Sequence, residues 1–241
     1  MRVGAEDPFV SLVIPCLNEE TAIGDVARAC LAQGVDEVIV VDGGSTDATV
    51  ANAQAAGARV VVEGLRGYGR ACAAGVAAVD PRCVIVAFID GDGSDAPEFL
   101  PAIVGPVATG AADFVMGSRL RGKREPGALA PQQVVAGHLA GLLIRQLHGV
   151  RFTDMSPVRA ISYANLKRLG MREMTYGWNL EMQMRVVAAK LRAMEIPVDQ
   201  HRRVGGVSKV SGNAMAGVAA AWAIGKTFLR LELEMRREKN A

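Results

Sequence analysis

Short apolar runs alternate along this chain with longer stretches in which apolar residues return at helical spacing. Residues 9–14 form the first run and Pro15 stops it; Ile23, Val26, Ala27 and Leu31 then line one side of a helix. The unit repeats. Residues 37–41 predict a second strand, and the polar turn at 42–47 feeds another helix with Ser45 as its N-cap. A third strand at 59–62 leads through the glycine-rich stretch 64–71 into an alanine-rich helix ending near Val79, and 84–89 is the fourth strand. Residues 97–109 read as a helix with Pro97 in its first turn and Ser94 or Asp95 as cap, and 112–116 as a fifth strand. After a loop at 120–131 the pattern predicts helices at 134–147 and 163–169 around an extended segment at 154–161. A turn at 175–181 leads into a helix to Leu191, and 192–198 is a strand.

Strands alternating with helices imply right-handed crossovers, and so an α/β architecture with a mostly parallel central sheet and helices on both faces. Residues 1–213 make up this body. From 214 onward apolar residues recur at Val218, Trp222, Phe228, Leu231 and Met235, among Lys226, Arg230, Arg236, Arg237 and Lys239. That mixture sets off 214–241 as an amphipathic helical tail. Two placements of it stand: on a membrane surface, or packed on the body or on a second subunit of a homodimer.

The fourth strand ends abruptly in Asp90, Asp92 and Asp95, spaced by small residues. A strand buried on both faces releases Asp90 and Asp92 at its carboxyl end, where open parallel sheets bind ligands. Two neighbouring carboxylates stay ionised together only with a cation, and hard oxygens favour Mg2+ or Mn2+ over Zn2+. A divalent ion in turn suits a diphosphate. The calcium-loop alternative fails, because the sixth and twelfth positions counted from Asp90 hold Asp95 and Pro101 where that loop requires Gly and Glu. A solvated turn before a capped helix accounts for Asp95 and Glu98 but not for the Asp90/Asp92 pair.

Other features narrow the reading. Gly64, Gly67 and Gly69 run in the reverse order of the dinucleotide fingerprint and follow the third strand, so a Rossmann dehydrogenase is discounted. They either present helix-start N–H groups to an anion or simply make tight turns. Arg121, Lys123 and Arg124 make the 120–131 loop basic and mobile in expectation, as a partner for the acidic site or as a solvated surface. His138 and His148 are off any metal-ligand spacing. With 241 residues and a formal charge of +2, the chain can bury a core but is no general nucleic-acid binder. Cys16, Cys30, Cys72 and Cys83 form no CxxC pair and read as reduced, buried thiols. The first eight residues lack a secretory pattern and no apolar run is long enough to span a membrane. The expected location is cytoplasmic, with any membrane contact peripheral on the cytoplasmic face.

The segments 14–20, 41–47, 66–69, 90–92, 117–119 and 203–209, in this order, resemble the family 2 inverting glycosyltransferases of the GT-A fold, most closely the dolichol- or polyprenyl-phosphate mannose or glucose synthase branch. The resemblance covers nearly the whole chain. It implies that a nucleotide diphosphate sugar is held by Pro15, Asn18, Glu19, Asp42, Arg66, Gly67, Asp90 and Gly91. Asp90 and Asp92 would bind the divalent ion, and Arg119, Arg203 and Lys209 would receive the phosphate of a polyprenyl phosphate or other lipid acceptor. A phosphate is already anionic and needs no strong base, whereas a soluble hydroxyl acceptor needs one. Glu181 is the candidate for that base, or else a helix-start acid. The sequence departs from the family at Ser94, where relatives carry an amide or similar ligand, and at Pro157, where they carry Gly. A nucleotide-sugar-binding protein without turnover is the non-enzymatic alternative.

Overall fold

The computed structural model describes residues 7–205 and 216–240. Seven strands make one sheet in the order β3-β2-β1-β4-β6-β5-β7. They are β1 (Val10–Cys16), β2 (Glu37–Asp42), β3 (Arg59–Val62), β4 (Ile85–Phe88), β5 (Phe114–Ser118), β6 (Arg159–Ser162) and β7 (Ala193–Pro197). β6 runs antiparallel to both β4 and β5; every other pairing is parallel. The helices are α1 (Ile23–Leu31), α2 (Thr49–Ala55), α3 (Tyr68–Ala77), α4 (Leu100–Ala108), α5 (Pro131–His148), α6 (Tyr163–Leu169), α7 (Trp178–Ala188) and α8 (Ala216–Asn240).

Both faces of the sheet are buried, which is why its strands read as continuous apolar runs and not as alternations. Along β1, Leu12 and Ile14 enter one core with Ile23 of α1 and Ile103 of α4, while Val13 enters the other with Cys72 of α3, Ile144 of α5 and Met184 of α7. Phe228 and Leu231 of α8 belong to that second core. The expected boundary at 213 lies outside the described residues. All four cysteines are buried thiols outside any disulfide.

Several local expectations change. β1 continues through Pro15 to Cys16, because its pairing with β4 stops at Val13 and the missing proline N–H falls beyond that ladder. Ser45 caps no helix: α2 begins after Ala48 without a side-chain cap, and the Ser45 hydroxyl accepts the Asn18 N–H at 2.8 Å. Pro97 does open a first turn, but it follows Ala96, and neither Ser94 nor Asp95 caps it. Of the extended segment at 154–161, only Arg159–Ser162 joins the sheet. The 120–131 loop is pinned at several points. Lys123 N–H donates to Asp199, the Glu125 carboxylate takes the Arg202 N–H, and His201 pairs with Glu125 at 3.1 Å.

The glycines opening α3 serve a close backbone approach. Gly69 and Arg70 donate their N–H groups to Thr175 and Met174 carbonyls at 3.1 Å each. Of the two readings of this stretch, the N–H groups of Gly69 and Arg70 follow the tight-turn one, being spent on the 173–175 turn, while Arg66 and Gly67 still line the cleft at the strand ends. A Cβ at Gly69 would collide with the Glu173 carbonyl. Gly69→Ala should destabilise the protein by about 1–3 kcal/mol, the usual cost of overpacking; an unchanged denaturation midpoint would contradict this packing.

Candidate active site

Parallel register brings the carboxyl ends of β1, β2 and β4 to one edge, with Cys16 opposite Asp42 and the chain leaving β4 at Phe88 just before the acidic loop. A cleft of about 400 Å3 opens there. One side is formed by Pro15, Leu17, Glu19 and Gly43 from the first two strand ends, and the other by Arg66, Gly67, Tyr68, Gln133 and Tyr176. Asp90, Gly91, Asp92 and Arg203 line it as well, with Cys16 and Ala71. Gly91 packs so tightly on Cys16 that a Cβ there would meet the sulfur. Gly93, at φ +75°, then turns the chain in a conformation glycine favours.

Each carboxylate of the loop has a different partner. Asp90 accepts the Tyr68 hydroxyl at 3.1 Å. Burial, and then the Asp92 charge beside it, push the Asp90 carboxyl well above the ordinary range. Asp92 accepts both the N–H and the hydroxyl of Ser94, at 2.9 and 2.6 Å, and is paired with Arg203 at 2.8 Å. The same Arg203 guanidinium reaches Glu19 at 3.0 Å. Asp95 is buried, not a helix-start acid: one oxygen accepts the Asp90 N–H at 3.1 Å and the other has no hydrogen-bond partner. Burial, then Asp90 and Asp92, hold Asp95 well above the usual carboxylate range.

This donor set fits a divalent cation. Glu19, Asp90 and Asp92 all line the cleft, and the Arg203 side chain pairs with both Glu19 and Asp92. Among the described residues no three His, Cys, Asp or Glu side chains enclose a metal position on their own. A bound ion would complete its shell from oxygens of a ligand, as Mg2+ commonly does.

Asp42, Asn18, Arg119 and Glu181, also expected in the site, do not line the cleft. Asp42 is buried and accepts the N–H groups of Gly44 and Ser45, at 3.1 and 3.0 Å, so it shapes the turn that presents Gly43. Asn18, at φ 53°, stitches the two turns together by accepting the Thr46 N–H at 2.9 Å. Arg119 is buried and clamped on Asp154 by two side-chain bonds of 2.8 Å, and its charge reaches Asp90 and Asp95 of the acidic loop. Burial pulls its pKa down, yet the Asp154 contacts outweigh that and leave it raised. Glu181 is fully buried: it accepts the Arg172 and Glu173 N–H groups at 3.0 and 2.7 Å and pairs with Arg185 at 2.8 Å. It is no exposed base. Lys209 lies outside the described residues.

Three cleft residues carried no signal of their own in the sequence. Tyr68 sits inside the glycine motif, and Tyr176, 60% exposed, lies within stacking distance of it with ring centroids 6.4 Å apart. Burial and the Asp90 charge keep the Tyr68 phenol protonated, so it remains a donor to Asp90. Gln133 reaches the cleft from the first turn of α5. Only tertiary packing brings these positions together. Arg159 is a further buried cation: it donates to Ser156 and Asn179 carbonyls, and burial lowers its pKa to about 10.

The sequence model of Glycosyl transferase family 2 matches residues 11–168. An uncharacterized glycosyltransferase of Mycobacterium tuberculosis (strain ATCC 25618 / H37Rv) is 38% identical over 214 residues, covering 88% of this chain and 94% of that protein. A dodecaprenyl-phosphate galacturonate synthase of Rhizobium johnstonii is 29% identical over 225 residues, covering 86% of this chain and 64% of that protein. Among solved structures, glucosyl-3-phosphoglycerate synthase from Mycobacterium tuberculosis in complex with Mn2+, UDP-glucose and phosphoglyceric acid superposes with a TM-score of 0.70. It is 25% identical, and the match covers 96% of this chain and 85% of that one. With most of the sheet inside the family match and so similar a relative along nearly its full length, the chain belongs to glycosyl transferase family 2 and is a glycosyltransferase of the GT-A fold.

Proposed function

We propose that this glycosyltransferase moves a hexose from a UDP- or GDP-linked sugar to the phosphate of a polyprenyl phosphate, with inversion at the anomeric carbon, at the cytoplasmic membrane face. The observation that carries the acceptor class is the engagement of Glu181. The carboxylate expected to deprotonate a hydroxyl is buried under two backbone N–H groups and Arg185, and a phosphate nucleophile needs no such base. The similarity to a dodecaprenyl-phosphate galacturonate synthase supports the same acceptor. A soluble acceptor is the second reading, favoured by the structural likeness to glucosyl-3-phosphoglycerate synthase in complex with phosphoglyceric acid.

In this reading the ends of β1 and β2, with Pro15, Glu19 and Gly43, seat the nucleotide, and Arg66 and Gly67 flank its diphosphate. Asp90 and Asp92 would hold Mg2+ or Mn2+, which when bound neutralises the charge developing on the departing nucleoside diphosphate. Tyr68 fixes the orientation of Asp90 through its hydroxyl. Arg203 leaves Asp92 and Glu19 and turns to the acceptor phosphate, joined by Lys209.

Two measurements test the reading. A nucleoside diphosphate at about a hundred times its Kd should stabilise the protein by about 2.7 kcal/mol with Mn2+ present. Stabilisation of equal size in chelator would remove the metal from the proposal. Arg203→Ala should raise the KM for a prenyl phosphate by about 10- to 100-fold, since charge-assisted contacts are worth about 1.5–3 kcal/mol. An equal rise in the donor KM would place Arg203 on the diphosphate instead.

A further inference from the structure

We infer that the outer face of α8 docks on an anionic lipid surface, an inference that rests on the lipid-phosphate reading of the acceptor. Trp222, Leu229 and Leu233 are 76%, 64% and 57% exposed. Their spacing places them on one side of the helix, together with the exposed Lys226 and Arg237. The opposite side holds Phe228 and Leu231, which are buried in the core against α5 and α7. The helix thus has two apolar faces, and among the described residues the body covers one of them.

The charges sort in the same way. The three glutamates that dilute the positive character of this segment in the sequence are all engaged at the flanks or against the body. Glu232 pairs with His148 at 3.3 Å and with Arg236 at 2.8 Å, and Glu234 pairs with Arg230 at 3.1 Å. Glu238 pairs with Arg185 at 2.9 Å and with Arg172 at 2.7 Å. What faces outward is a tryptophan and two leucines beside lysine and arginine, a combination suited to in-plane contact with anionic headgroups. Val135 and Leu142 of α5, the helix that packs along α8, are also 51% and 52% exposed. A lone exposed leucine needs no explanation; a stripe of them with cations on a paired helix does.

The position of α8 links this surface to the cleft. Arg230 pairs with Glu173, and the Thr227 methyl lies against Gly177, so the helix braces the turn that carries Tyr176 into the cleft lining. Docking through α8 would bring that side of the cleft to the bilayer, where the phosphate of a prenyl lipid resides.

The test is vesicle flotation of the full chain, with vesicles of phosphatidylcholine alone or mixed with phosphatidylglycerol and free of any prenyl phosphate. The full chain should float with the anionic vesicles, and Trp222→Ser/Leu229→Ser/Leu233→Ser should lower that partition at least about tenfold, since three large apolar side chains are lost from the contact. The variant should keep its melting temperature and its turnover on a short, water-soluble prenyl phosphate. Failure of the full chain to float, or flotation of the variant like the full chain, overturns the inference. A soluble dimer that the triple substitution splits, without flotation, overturns it too and assigns the face to a second copy. Flotation without transfer to any prenyl phosphate supports the docking surface and sinks only the acceptor reading.

Discussion

Asp92→Asn should lower turnover by at least about 10²- to 10³-fold, the size of effect seen when one preorganised electrostatic group is removed from a transition state. The amide keeps the shape of the side chain but loses the charge. That charge is what the cleft uses to collect a cation: Arg203 in the structure, and in the proposed reaction a divalent ion. The fold should survive, since Asp92 sits on a loop and its side-chain bonds are to Ser94 and Arg203, both at the edge of the cleft. The informative measurement pairs turnover with Mn2+-dependent stabilisation by a nucleoside diphosphate. Full activity in the variant would remove Asp92 from the metal site and the central assignment with it.

Glu181→Ala should destabilise the protein by about 3–5 kcal/mol, because truncating one member of a buried ion pair strips the other of its buried counter-charge, leaving Arg185 only the half-buried Glu238. In a chain of this size that corresponds to a fall in Tm of about 6–20 °C. Three donors would lose their acceptor at once: the Arg172 and Glu173 N–H groups and the Arg185 guanidinium. Arg185 also holds Glu238 of α8, so the damage should spread to the packing of that helix. Glu181→Gln, which keeps an acceptor oxygen, should cost less. A variant with unchanged stability and abolished turnover would restore Glu181 as a base and, with it, the hydroxyl-acceptor reading.

The elements were legible because each depends on near neighbours in the chain. Apolar runs at 37–41, 59–62 and 84–89 mark strands that the structure places at Glu37–Asp42, Arg59–Val62 and Ile85–Phe88. The α6 helix matches its predicted bounds, with Ser162 accepting the Asn165 N–H as cap and Gly170 in the left-handed conformation after it. A polar side chain before a helix leaves the cap position unfilled where it has a better partner across a turn, as Ser45 has in Asn18. The acidic loop was legible as chemistry, since clustered carboxylates after a buried strand demand an explanation from sequence alone.

The partner of each charged side chain was not legible. Arg203 meets Asp92 across 111 residues and Glu19 across 184, and Arg119 meets Asp154 across 35. Nothing local distinguishes Glu181, wholly buried, from Glu98, exposed in a first helical turn, although both begin helices. The sequence by itself determined the order of strands and helices, the burial of both sheet faces and the acidic turn after β4, all written in periodicity and turn chemistry. Tertiary structure alone decided which carboxylates stay in the cleft, which arginine is spent on the core, and which face of α8 is left uncovered. A side chain's charge is local, but its desolvation and its partner are set by whatever the fold packs against it.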